Sequence, residues 1–191
     1  MYVDLSAFKE YLGIPTNDDN PLLRRLLERA QEIFNGQTRK VFEAEADSTR
    51  HFDAIANVNG KTLLLDADLC SITTIVNGDG STIASNKYVT EPRNTTPYYA
   101  ITLLSSSGLY WQSASNGDSE NAISITGKWA YSTTAPADVV DAVIDIATVL
   151  YRKKDNANDY SRTVITPTST ILPGGVSSTT VGTIKRYRRL I

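Results

Sequence analysis

The chain has 191 residues, enough for one domain of ordinary size with a real core, and its 41% hydrophobic and 21% charged content places it with globular proteins rather than disordered ones. A single cysteine, Cys70, excludes an internal disulfide framework and fits a reducing compartment. The net charge of −2 conceals a division: from Arg152 onward the balance is +6, and before it −8.

In chain order, residues 4–12 (DLSAFKEYL) carry Leu5, Phe8 and Leu12 at helical spacing, with Asp4 or Ser6 as cap and Gly13 then Pro15 as the stop. The spacing predicts a second, longer helix over 20–38. There Asn20 is the expected N-cap, Pro21 fits the first turn, and Leu22, Leu23, Leu26, Leu27, Ala30, Ile33 and Phe34 form one stripe. This helix should end between the Asn35-Gly36 pair and Arg39. From about residue 48 the period becomes two. Strands are predicted at 49–53, 62–65, 72–76, 81–84, 87–90, 98–104 and 122–131, separated by NVNG, NGDG and SNGDSEN turns.

The helical period returns at 136–153, where the polar positions 138, 141, 145, 148 and 152 make one narrow stripe and nearly all the rest is apolar or small. A helix with so little wet surface is expected to be central or covered by another subunit. The longest apolar stretch, 139–151, is interrupted by Asp141, Asp145 and Thr148, so no membrane span is expected. The N-terminus lacks the basic start and apolar run of a signal peptide, which predicts a cytoplasmic protein. Beyond Asp155 the text is rich in Ser and Thr, with Pro167, Pro173, Gly174 and Gly175, and ends on IKRYRRLI. An extended, flexible tail is predicted there.

The inventory for catalysis is thin. His51, between Arg50 and Phe52 in a predicted strand, reads as a surface or structural residue, and Cys70 as a small buried one. Asp138, Asp141 and Asp145 share a helical face without the acidic partner helix or basic phosphate ligands that a magnesium site would need, so they read as a solvated or subunit-facing stripe. NGDG at 77–80 lacks the distal carboxylates of a calcium loop and reads as a hairpin turn. Tyr98, Tyr99, Tyr110, Trp111, Trp129 and Tyr131 read as core rather than as a stacking surface, since no basic residues interleave with them. No enzyme, cofactor or metal site is predicted.

Three stretches, FKEYLGIPTNDDNPLLRRLLERAQEIF, ITGKWAYSTTAPADVVDAVIDIATVLYRKKDN and the terminal IKRYRRLI, carry a family resemblance. Together they cover about a third of the chain and both ends of it, and on them it resembles the head–tail connector proteins of tailed bacteriophages, also called adaptor or head-completion proteins. The sequence departs from that pattern by carrying a long β insertion where compact members have little.

The predicted elements together with the resemblance give an α+β fold: a small helical bundle of three main helices (1–45 and 131–155), an inserted antiparallel β lobe (46–130) and a flexible basic C-terminal tail (156–191). The resemblance implies a structural virion protein that forms a dodecameric ring under the portal protein, beside neighbouring copies of itself. Such a ring extends the DNA channel and offers a surface to a stopper or tail-side neck protein. Genomic DNA would pass without sequence-specific binding, no membrane would be involved, and the protein would sit in the virion neck after assembly in the host cytoplasm. Lys185, Arg186, Tyr187, Arg188, Arg189, Leu190 and Ile191 are the expected portal- or subunit-docking residues, ordering only on their partner, and Asp141, Val143, Ile144 and Asp145 the expected subunit interface. Two other readings compete: a nucleic-acid-binding protein using the basic tail, and a ligand-binding or adhesive β module over 46–130.

Overall fold

The computed structural model describes residues 1–153 and 172–189. The chain divides into two compact units, Met1–Phe42 with Thr134–Ile191, and Glu43–Thr133.

In the first unit, α1 (Leu5–Leu12) begins where the Asp4 carboxylate accepts the Ser6 N–H at 2.7 Å. It ends at Gly13, whose φ of 69° turns its N–H back onto Glu10 O at 3.1 Å. Helix α2 (Asn20–Thr38) buries Leu23, Leu27, Ala30, Ile33 and Phe34 along one stripe. Its N-cap is Asp19, not Asn20, which is already helical. The helix runs through Asn35-Gly36 because the extra turn buries Thr38, whose hydroxyl donates to Phe34 O at 2.9 Å. Arg39 then stops it in the left-handed region, at φ 57°. Helix α3 (Ala137–Lys153) buries Val139, Ala142, Val143, Ile146 and Ala147. Buried apolar side chains of this size stabilise by about 1.5–3 kcal/mol each, which makes the packed faces of α2 and α3 the main cohesive element of this unit.

A fourth helix, α4 (Ser178–Tyr187), lies in the segment expected to be an extended tail. It is packed on its own unit through buried Thr180, Thr183 and Ile184, so the expectation of a free tail is corrected for 178–187. The remainder of that expectation, at 154–171 and at Leu190 and Ile191, falls outside the described residues.

The second unit is built on two antiparallel sheets, with short 3-10 turns at Ser85–Lys87 and Ser105–Ser107. One sheet has the order β1-β7-β4, with β1 (Ser48–Phe52), β4 (Ser71–Val76) and β7 (Ile123–Lys128). The other has the order β2-β3-β6-β5, with β2 (Val58–Asn59), β3 (Thr62–Leu69), β5 (Tyr88–Glu91) and β6 (Tyr98–Leu103). Phe52, Leu63, Leu65, Leu69, Ile75, Ile101, Leu103, Trp111, Ile123 and Ile125 form its core. The strand expected at 81–84 is reduced to a bridge between Val76 and Thr82 that closes the NGDG hairpin. Within that turn Asp79 accepts from Ser81 N–H at 2.9 Å, and the resulting hydrogen bonds hold its carboxyl below the usual range.

Strand β3 runs four residues past its predicted end, through Asp66 and Asp68, and Arg50 of β1 pairs with Asp66 at 2.9 Å. Gly127 sits on the central strand β7 where a Cβ would lie 2.2 Å from Ser71 O, so only glycine allows β4 that close.

Candidate docking face on helices three and four

The aspartates read from the sequence as one wet stripe have three different surroundings. Asp138, in the first turn of α3, pairs with the Arg186 guanidinium and accepts the Tyr187 hydroxyl at 3.2 Å. Asp145, two turns on, accepts the Ser177 N–H at 2.9 Å and the Thr180 hydroxyl at 2.7 Å. Asp141, between them in sequence, is exposed. Because Asp138 meets the last turn of α4 and Asp145 its first, the two helices run antiparallel.

Asp145 is thereby set at the N-terminus of α4, where its negative charge meets the positive end of the helix dipole. Burial pushes its carboxyl up, but the hydrogen bonds from Thr180 and Ser177 and the nearby Arg152 outweigh that and hold it below the usual range. Ser177 also caps α4 itself, accepting the Thr180 N–H at 3.2 Å.

The far end of α4 is fixed to α2 and to the chain's beginning. Arg189 N–H donates to Thr38 O at 3.0 Å. The Tyr187 ring packs edge-on against Phe42 at 5.1 Å, and Phe42 in turn meets Phe34 at 5.3 Å and Tyr2 at 6.2 Å. The Tyr2 hydroxyl accepts the Phe42 N–H at 2.7 Å and donates to Asn35 Oδ1 at 2.8 Å.

Among the expected docking residues, then, Arg186 and Tyr187 are held by Asp138, Arg189 by its backbone bond to α2, and Lys185 and Arg188 are exposed. The expected ordering of these residues on an external partner is corrected for 185–189, since they are already ordered on their own unit. Leu190 and Ile191 lie outside the described residues. Of the expected subunit-interface residues, Val143 is 1% exposed and belongs to the core of its unit, Asp145 is engaged by α4, Ile144 is half-buried and Asp141 is exposed. The partnership of Asp138 and Asp145 with α4 escaped the sequence reading. A signal existed in Ser177 as cap with Val181, Ile184 and Tyr187 at a spacing of three, but the surrounding Ser/Thr-rich text masked it.

The residues weighed for chemistry fall into structural roles. His51 is an exposed residue of β1 opposite Ser124. Cys70 is buried and its thiol points at Lys128 O, 3.4 Å away; burial pushes its pKa up, which makes it a poor nucleophile. Trp111 is core, donating its indole N–H to Lys61 O at 2.9 Å, while Tyr99 and Tyr110 are exposed rather than core. Cations do meet aromatic rings here, against the expectation from sequence neighbours: Arg50 lies over Trp129 at 4.8 Å and Lys61 over Tyr110 at 4.6 Å. No group of metal-binding side chains and no helix long and apolar enough to cross a membrane occurs among the described residues.

With this geometry in hand, the fold is that of chains found in the necks of phage-like particles. A chain in the neck of an empty gene transfer agent (GTA) particle computed with C6 symmetry is similar over 100% of this chain and 91% of its own, with a TM-score of 0.61 and 15% identity. A chain in the neck of the native GTA particle computed with C12 symmetry gives a TM-score of 0.60 at 16% identity, covering 100% of this chain and 90% of that one. A chain of the native GTA virion gives 0.59 at 16% identity, covering 100% and 91%. The match spans the full chain, so residues 43–133 are part of the shared fold. No protein-family model matches the sequence, and no curated protein matches it.

Proposed function

We propose that this chain is a structural protein of the neck of a tailed-phage-like particle. It forms a ring under the portal protein, joins the DNA-filled head to a stopper, tail-side neck protein or tail, and extends the channel through which genomic DNA passes without sequence-specific contact. The observation that carries this reading is the whole-length likeness of fold to GTA neck chains. The C12 symmetry with which one of those necks was computed agrees with a ring of twelve copies.

In such a ring the exposed Asp141 and half-buried Ile144 of α3 meet a neighbouring copy, and the exposed Lys185 and Arg188 of α4 meet the portal. The docking is that of a prefolded surface, a reading supported by the packing of 178–187 on its own unit. Prefolding spares the ordering cost of a disordered tail, of about 2–5 kcal/mol or more, at each copy. Rings then bind tightly by the addition of many weak contacts. The site of action is the virion neck, reached from the host cytoplasm.

The test is electron microscopy of the purified protein mixed with the portal protein of the same particle. A twelvefold layer beneath the portal is the expected result; portals that remain bare at saturating protein overturn the reading. The double variant Lys185→Glu with Arg188→Glu should keep the fold, by circular dichroism, and lose the layer.

A further inference from the structure

Helices α2 and α4 end on the same side of the first unit. Arg189 N–H reaches Thr38 O, the last residue of α2, at 3.0 Å, and the Tyr187 ring packs on Phe42 at 5.1 Å. Two segments far apart in sequence thereby set Arg39, Lys40, Lys185, Arg186, Arg188 and Arg189 on one end of the unit. The plain reading of cations after a helix C-terminus is that they offset its dipole. Two such ends amount to roughly one negative charge, and Asp138 already neutralises Arg186. Arg39, Lys185 and Arg188 exceed that requirement: all three are exposed, and among the described residues their charged groups have no hydrogen-bond or ion-pair partner.

Arg39 is the most informative of the three. Its φ of 57° lies in the left-handed region, where helices commonly end on glycine or asparagine because a Cβ crowds the following carbonyl. Strain kept at an exposed, unpaired arginine points to a use for the side chain outside its own fold. Two residues on, Val41 is 50% exposed and gives this cationic end an apolar point.

Charge and surface together select the kind of partner. Duplex-binding proteins gain their affinity from many neutralised phosphates, roughly 6–10 in well-bound cases. Three unpaired cations on a chain whose residues before Arg152 carry a balance of −8 fall short of that. The opposite end of the same helical unit is no complement either. There the Tyr151 hydroxyl reaches Asp19 at 3.2 Å, so Asp18 and Asp19 at the start of α2 share that end with Arg152 and Lys153 of α3, and the charges cancel. A segment with a few carboxylates around one apolar side chain matches in both respects, since protein interfaces set an apolar contact inside a polar rim.

We propose that this end of the helical unit, with Arg39 and Val41 beside Lys185 and Arg188, receives an acidic segment carrying one apolar side chain from a different protein of the neck. The contact rests on the reading above that Lys185 and Arg188 meet the portal, and adds the chemistry of what they meet. Amide NMR of the full-length protein titrated with the blocked peptide Glu-Glu-Leu-Glu-Glu tests it. Shifts should centre on Arg39, Val41, Lys185 and Arg188, and the affinity should fall at least about tenfold between about 50 and about 500 mM salt. Serine in place of the peptide's leucine should weaken binding at least about threefold, and Val41→Ser should do the same. Arg39→Gly should leave the melting temperature equal or higher, glycine being the residue that position favours, and weaken the peptide at least about threefold. Shifts elsewhere, or a lower melting temperature for Arg39→Gly, overturn the proposal. Tighter binding of a short DNA duplex at the same amides, indifferent to Val41→Ser, assigns the end to phosphate and overturns it. Salt-sensitive self-association lost in Arg39→Gly assigns it to a second copy and does likewise. Peptide binding at this end supports the proposal even where no layer forms under the portal, whereas a twelvefold layer that forms undiminished with Arg39→Gly and Val41→Ser keeps the ring and removes the acidic-segment contact.

Discussion

Tyr187 donates its hydroxyl to Asp138 at 3.2 Å, joining the last residue of α4 to the first turn of α3. One carboxylate serves both this bond and the Arg186 guanidinium, so it fixes the end of the helix that carries the exposed Lys185. Asp138→Ala should cost about 1 kcal/mol in urea unfolding. The Arg186 pair is largely screened, its guanidinium side chain being 63% exposed, and the loss of the Tyr187 bond dominates. Amide exchange over 183–187 should rise before any global unfolding. A variant with unchanged exchange there would show that the aromatic contact to Phe42 holds α4 without Asp138.

Asp145 gives the docking of α4 a pH dependence with a definite sign. Its folded pKa is depressed, so the stability it contributes is fully present above the usual carboxylate range and is lost as pH falls through the lowered folded value. Acid should therefore loosen α4. Asp145→Asn should remove most of this dependence and lower stability at neutral pH, since the amide carries no charge for the helix N-terminus. Thermal melts at neutral pH and at about pH 3 check both arms; an Asn variant that keeps the wild-type pH slope contradicts the assignment.

Two glycine-to-alanine changes should have opposite effects. At Gly127 a methyl group would overlap Ser71 O, so β4 must shift, and a loss of about 2 kcal/mol or more is expected. At Gly182, within α4, nothing lies within 4 Å of the added carbon, and the change should gain about 0.5–1 kcal/mol through helix propensity. Melting temperatures of the two variants, taken together, distinguish steric from conformational effects.

Asn77 is 2% exposed and joins two loops of the β unit: its amide donates to Tyr110 O at 2.9 Å and its carbonyl accepts Gln112 N–H at 3.0 Å. Asn77→Ala would leave both backbone groups short of a partner, at about 1–3 kcal/mol each. Asn77→Asp keeps the acceptor for Gln112 but sets a buried carboxylate oxygen against Tyr110 O, and should cost at least as much at neutral pH. Equal stability of all three forms in urea would mean that water replaces the side chain.

Residues 43–133 have their own core and should fold when expressed alone, as should the remainder joined by a short linker. Cooperative melting of each piece is the expected outcome. If either piece melts without a transition, its core depends on the other.

The limits of the sequence show clearly at α4. Helices α1, α2 and α3 were legible because each carries enough apolar residues at helical spacing to define a face by itself, and the observed bounds fall within a residue of those expected. Most strands were legible from their alternation for the same reason, and β3 ran long because Asp66 and Asp68 occupy positions that face away from the core. Helix α4 has Thr180 and Thr183 where an amphipathic helix would have leucine, and the weak helix formers Thr179, Val181 and Gly182 beside them. Its stability comes from Asp145 at one end and Asp138, Thr38 and Phe42 at the other, residues 35 to 151 positions away in the chain.

Local periodicity thus determined α1, α2, α3 and most of the strands, and charge counting determined that the C-terminal part is basic. Only the tertiary structure decided that β7 lies between β1 and β4, that β5 ends its sheet among the described residues, and that residues 178–187 of the basic segment are helical and packed on their own unit. Each of these depends on pairing between distant residues, whose free energy arises when the partners meet and leaves no period in the sequence of either one.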